Sequence, residues 1–172
     1  MRILPASLCL AVAATLGAAV EVQAEVGGSI ARILEGDQVI LAGIQPAVLW
    51  RNEALLTPVL GIQAGPMVMV DSDAGTWAAG IEVRLVAGLG WRPAGWPRLD
   101  LLGGWGGGLW RDAGLCVAGG WGHTLAAEAV ATWALDDRLR VGPALGWSRH
   151  LVGSIEVEEW RAAVAVAYRF GG

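Results

Sequence analysis

The chain has 172 residues, a formal net charge of −4, 55% hydrophobic residues and only 16% charged ones. That length allows one domain, and so little charge is less than a water-facing surface usually carries. All twelve basic residues are Arg and lie scattered, which excludes the basic patch that nucleic-acid binding needs.

The first 24 residues read as an export leader. Arg2 is a minimal basic start, Ile3–Val20 an apolar stretch and Val22–Ala24 a small-residue cleavage site. Residues 25–172 are then the mature domain. Cys9 departs with the leader and Cys116 remains alone, so no internal disulfide is expected. After residue 24 no run of about 18 apolar residues is free of charge or glycine, so no membrane-spanning helix is predicted.

The mature chain alternates with period two. Ile40–Trp50 does so with Gln45 on its mixed face, and Ala54–Val70 sets Leu56, Leu60, Ile62 and Val68 against Thr57, Gly61, Gln63 and Gly65. In Thr76–Arg92 the odd positions run Trp77, Ala79, Ile81, Val83, Leu85, Ala87, Leu89 and Trp91, while Glu82 and Arg84 share the even face. A helix would scatter Glu82 and Arg84 around its circumference, whereas a strand keeps them on one side. Arg98–Trp110 and Leu115–Leu135 alternate more weakly because of their glycines. Leu139–Trp147 carries Arg140, Gly142 and Gly146 on its mixed face. The last run sets Trp160, Ala162, Val164, Val166, Tyr168 and Phe170 against Arg161 and Arg169.

Turn signals near Glu35–Gln38, Arg51–Glu53, Asp71–Gly75, Pro93–Pro97, Asp112–Gly114, Asp136–Arg138 and Val152–Glu158 divide the chain into eight strands. Each strand with its connection takes roughly 18 residues, enough for a tilted membrane strand. The tightest hairpin for strands five and six places Arg111 opposite Leu115 and Trp105 opposite Trp121, around the loop Asp112-Ala113-Gly114.

The indoles decide which face is outside. Trp50, Trp77, Trp91, Trp105, Trp121, Trp133, Trp147 and Trp160 lie on the apolar face, with Tyr168 and Phe170. An eight-stranded interior holds side chains or one small ligand and has no room for ten large rings. The apolar face therefore meets lipid, and a soluble ligand-binding barrel is the weaker reading. The inward parity collects Gln45, Gln63, Glu82, Arg84, Asp100, Glu128, Arg140, Arg161 and Arg169 as a polar network inside the lumen. His123 falls on the outward parity of strand six and needs a bulge after Gly122, or else a place near the headgroups. Trp50, Trp91 and Trp133 mark one membrane interface, with Phe170. Trp77, Trp147 and Trp160 mark the other, as in an aromatic girdle, and Trp105 and Trp121 fall mid-segment.

The leader, the eight alternating strands and the ending "WRAAVAVAYRF" resemble the small OmpA/OmpX-type outer-membrane β-barrels. The resemblance implies an all-β, eight-stranded antiparallel up-and-down transmembrane barrel in the outer membrane of a Gram-negative bacterium. Both barrel ends of the chain would then face the periplasm. It implies that Trp160, Val164, Val166, Tyr168 and Phe170 carry the signal read by the barrel-assembly machinery. Gly171-Gly172 depart from a pattern in which the aromatic is usually last.

Outer-membrane lipids and lipopolysaccharide are the expected surroundings, and the barrel is expected to act as a monomer. No cofactor is called for. His123 and His150 have no neighbours at metal-ligand spacing, so no metal site is predicted. Ser148 and His150 share the inward face and could serve a lipid A-modifying enzyme, but no acid partner is evident in sequence. Glu82, Arg84 and Glu128 could line a narrow pore or fill the lumen. The outward loops are short, and the last, Val152–Glu158, is acidic enough to repel lipopolysaccharide phosphates. The reading that results is a structural or envelope-maintaining barrel with a filled polar lumen, with a lipid A-modifying enzyme or a narrow pore as alternatives.

Overall fold

The computed structural model describes residues 19–33, 38–52, 54–71, 76–113, 120–152 and 155–170. They form eight strands: β1 (Ala19–Ile33), β2 (Gln38–Arg51), β3 (Leu56–Asp71), β4 (Thr76–Trp91), β5 (Arg98–Ala113), β6 (Gly120–Ala134), β7 (Leu139–Val152) and β8 (Ile155–Phe170). Each pairs antiparallel with the next, and β8 returns to β1 to close the barrel. Closure leaves no free sheet edge, which lets a β-protein satisfy its backbone in hydrocarbon.

One path of paired residues runs fully around the wall: Gln23, Ala47, Gln63, Arg84, Gly106, Thr124, His150, Val157 and finally Ile33. It leaves β1 at residue 23 and returns at residue 33, a shear of ten residues. With ~3.3 Å per residue and ~4.8 Å between strands, this shear tilts the strands by about 40°. An even shear preserves the alternation at the seam, so inward residues stay inward around the whole circumference.

Exposure follows the parity. On β4, Leu85 is 59% exposed while its neighbour Arg84 is 4% exposed. Trp50, Trp91, Trp133 and Phe170 lie toward the end of the barrel where β2, β4, β6 and β8 finish, hereafter the terminal end. Trp77 opens β4 at the opposite end, and Trp147 pairs with Trp160 on the same half. Ten residues separate Trp160 from Phe170 on β8. At the tilt above they stand about 25 Å apart along the axis, the height of the apolar band of outer-membrane barrels. Leu85→Arg, at mid-height on the outer face, is therefore expected to lower stability in vesicles by ~2–4 kcal/mol, whereas Trp160→Arg costs ~0–1. Urea titration of both variants checks this, and equal losses would contradict the assigned band.

Strand β1 begins at Ala19, and Glu21, Gln23 and Glu25 continue its inward parity and are all buried. Three readings change. The hairpin of β5 and β6 is slid by four: Trp105 faces Leu125, and Trp121 faces Leu109. A slip of four keeps both faces intact, so alternation could not reject the tighter loop. The observed register lays the Trp121 ring over Gly107, where an added Cβ would come within 2.8 Å of it, and it moves Trp121 from mid-segment to the beginning of β6. No bulge corrects His123, which stays outward on a β6 paired in one continuous register with β5. Of the expected acidic loop Val152–Glu158, Val152 ends β7 and Ile155–Glu158 belong to β8. Leu115, Cys116 and Gly171-Gly172 lie outside the described residues.

Candidate functional site

The lumen is the only part of such a barrel where polar chemistry can be sheltered from lipid, and its contents are stacked in levels. At the terminal end two arginines and two acids form a ring. Arg98 donates from both Nη atoms to the two oxygens of Glu21, each at 2.7 Å, and from Nε to Asp100 at 3.2 Å. Arg51 Nη1 donates to Asp100 at 2.6 Å, and its Nη2 lies 3.3 Å from Glu21. All four side chains are buried.

Above the ring sits an apolar layer. Ala47, Leu49, Val59, Val86 and Leu102 pack together from β2, β3, β4 and β5, and Val130, Ala144 and Ala165 form a second cluster on β6, β7 and β8. Gly61 admits this packing, because a Cβ there would strike Leu49 and approach Val86.

The next level is again polar. The Gln45 side-chain oxygen accepts from both Arg84 and Arg161. Arg84 Nε lies 3.1 Å from Glu82, and Arg161 Nη2 reaches Glu25 at 2.8 Å and Glu128 at 2.9 Å. Gln23 donates to Glu25 at 2.8 Å. The arrangement offsets the desolvation of each charge with a partner.

Toward the opposite end Ser148, His150 and Glu159 meet. Ser148 donates to Glu159 at 2.6 Å, and its oxygen lies 2.9 Å from His150 Nε2. Nε2 is also 3.0 Å from Glu159, while Nδ1 lies 3.3 Å from Glu82 and 3.1 Å from the Thr124 hydroxyl. The Trp110 ring meets the imidazole edge-on at 6.2 Å. A nucleophilic relay needs the base free to take the hydroxyl proton. Here Glu159 competes for both the hydroxyl and Nε2, and His150 is 0% exposed. The cluster reads as a buried polar plug with carboxylates on both sides of the ring.

The structure brings together Gln45, Glu82, Arg84, Glu128 and Arg161 of the expected network. Gln63 is buried in the wall beside them. Asp100 belongs to the terminal ring. Arg140 instead binds Thr132, with Nε 3.3 Å from the hydroxyl and Nη2 3.1 Å from the carbonyl oxygen. Arg169 lies at the terminal mouth, where its backbone N–H donates to Arg138 at 3.0 Å. Sequence reasoning missed Glu21, Glu25, Arg51, Arg98, Thr124 and Glu159. Glu159 supplies the acid that seemed absent near Ser148 and His150; one residue before Trp160, it carries the odd parity of Arg161. Arg51 and Arg98 likewise continue the inward parity of their strands, but Arg51 falls in the turn read at Arg51–Glu53 and Arg98 directly follows the one at Pro93–Pro97. Glu156 and Glu158 are occupied by Arg149 and by the Trp147 indole N–H, the latter at 2.6 Å. Among the described residues no three His, Cys, Asp or Glu side chains are placed to hold a metal ion.

No family model matches the chain, and no curated protein matches it. Solved structures do. Neisserial surface protein A (NspA) superposes with a TM-score of 0.63 at 12% identity, over 88% of this chain and 97% of that one. Ail, the attachment invasion locus protein of Yersinia pestis, gives 0.54 at 10% identity over 88% and 97%. Ail in complex with the heparin analogue sucrose octasulfate gives 0.53 at 12% identity over 87% and 99%. At such identities the likeness is one of fold. The chain has the eight-stranded fold of these small barrels, with an apolar belt exposed on its outer face.

Proposed function

We propose that this barrel is a monomeric structural component of the outer membrane whose sealed lumen neither conducts nor catalyses. The apolar layer around Leu49 and Val86 carries the reading, since it interrupts the polar column between the two charged levels. The engagement of His150 by Glu82 and Glu159 supports it further. Ring and terminal mouth face the periplasm in this reading, and the Trp160–Phe170 strand is what the barrel-assembly machinery recognises. A strain lacking the protein is expected to become sensitive to bile salts and large antibiotics. Ser148→Ala is expected to restore resistance in full and leave the lipid A mass spectrum unchanged. A Ser148-dependent change in lipid A mass would sink the structural reading in favour of an enzyme.

The leader boundary belongs to the same proposal. Gly17 and Ala19 offer small residues at the spacing a signal peptidase reads. Cleavage there keeps Glu21 beside Arg98, whereas cleavage after Ala24 removes it. The intact mass of protein purified from outer membranes is expected to correspond to a chain starting at Val20. A start at Glu25 would refute this boundary.

A further inference from the structure

The cluster around His150 fixes where its protons sit. Ser148 donates its hydroxyl proton to Glu159 at 2.6 Å, so toward His150 Nε2, 2.9 Å away, its oxygen can only accept. Glu159 is a second acceptor at Nε2, at 3.0 Å. Nε2 therefore carries a proton. Nδ1 lies 3.3 Å from Glu82 and 3.1 Å from the Thr124 hydroxyl. In a neutral ring protonated on Nε2, Nδ1 presents a lone pair. Thr124 can donate to that lone pair, but the Glu82 carboxylate then faces it with no proton between them. Glu82 is 3% exposed and is met by Arg84 Nε at 3.1 Å and by the ring. A charge left facing a lone pair in so closed a site is costly. A proton on Nδ1 removes the conflict, since Glu82 and Thr124 can both accept it.

We infer that His150 is a proton-operated latch: protonated on both nitrogens, it ties Glu82 of β4 to Glu159 of β8 across the lumen, and loss of the Nδ1 proton to water releases the β4 side. The charged groups that face the ring are Glu82, with Arg84 beside it, and Glu159. The other strands packed against it bring neutral groups: Trp110 from β5, Thr124 from β6 and Ser148 from β7 itself. His150 is 0% exposed, so solvent does not screen Glu82 once the proton has gone. The direction of the switch follows from linkage. A proton that the folded state holds and the unfolded state releases stabilises the fold in full below the titration of a free imidazole, ~6.5. That contribution is lost as pH rises past the point where Nδ1 gives up its proton. The latch goes beyond the structural role proposed above and stands independently of it.

The chain has two histidines, so His123→Gln, on the outer face, leaves His150 as the sole imidazole. The test is nuclear magnetic resonance of this refolded full barrel with isotopically labelled imidazole nitrogens, at pH ~8, where a free imidazole is largely neutral. Protons on both ring nitrogens are expected. Adding Glu82→Gln is expected to remove the proton on Nδ1 and leave the one on Nε2. The urea midpoint of the single-histidine barrel should then fall over the alkaline range in which the Nδ1 proton disappears. The midpoint with His150→Gln should stay level over that range. Each variant is first checked for the heat-modifiable migration of a folded barrel, and Glu82→Gln serves as the level reference if His150→Gln does not fold. A single N–H on His150 at pH ~8 overturns the proposal. So does an Nδ1 proton that survives Glu82→Gln, or a midpoint that does not move as that proton leaves.

Discussion

Arg98→Ala is expected to destabilise the barrel by about 3–5 kcal/mol, the usual cost of leaving buried charges without their partner. Arg98 holds both oxygens of Glu21 and one oxygen of Asp100, so its removal strips two buried carboxylates at once. Arg51 can answer only part of the loss, because its single short bond already goes to Asp100. Arg98→Lys keeps the charge but loses the planar fork, so an intermediate loss is expected. Urea titration in lipid vesicles, read by heat-modifiable migration, orders the three proteins. An Arg98→Ala protein within 1 kcal/mol of the parent, on the scale set by exposed pairs, would show that the ring contributes nothing to stability.

Leu49→Ala should act on two observables together. Leu49 is 0% exposed at the centre of the apolar layer, and a buried Leu→Ala change costs about 2–5 kcal/mol depending on how far the site collapses. The same change removes one of the two leucines of the layer that separates the charged levels. The parent is expected to be silent in planar bilayers, and Leu49→Ala combined with Val86→Ala to show small conductance steps. The two residues belong to one packed cluster, so their stability losses should not add. A parent that already conducts would show that the polar column is continuous and would favour the narrow-pore reading.

The two faces of every strand were legible in the sequence because a side-chain period of two is a strict geometric consequence of the strand. That is why Glu82, Arg84 and Gln45 could be placed in the lumen without coordinates. Register was not legible. Sliding β6 by four residues along β5 leaves every residue on its face, so the partner of Trp105 depends on packing such as that of Trp121 over Gly107. Partners across the lumen were hidden for a related reason. Arg98 meets Glu21 over 77 positions of sequence, a contact that exists only once closure and shear are fixed. Glu21 was doubly concealed, since it sits beside an apolar run that reads as a leader.

The seam between β1 and β8 also bears on how the chain folds. Val20 pairs with Phe170, so the last strand completes what the first one starts. Until that pairing forms, both strands present unpaired edges, and any partial barrel is a sheet open to joining another chain. Bringing the two strands together closes a loop of nearly the whole chain, and contacts of such high contact order form slowly. Folding should therefore be limited by a final zippering of β8 along β1. A damaged last strand would then lower the yield of folded protein far more than it lowers the stability of the molecules that succeed.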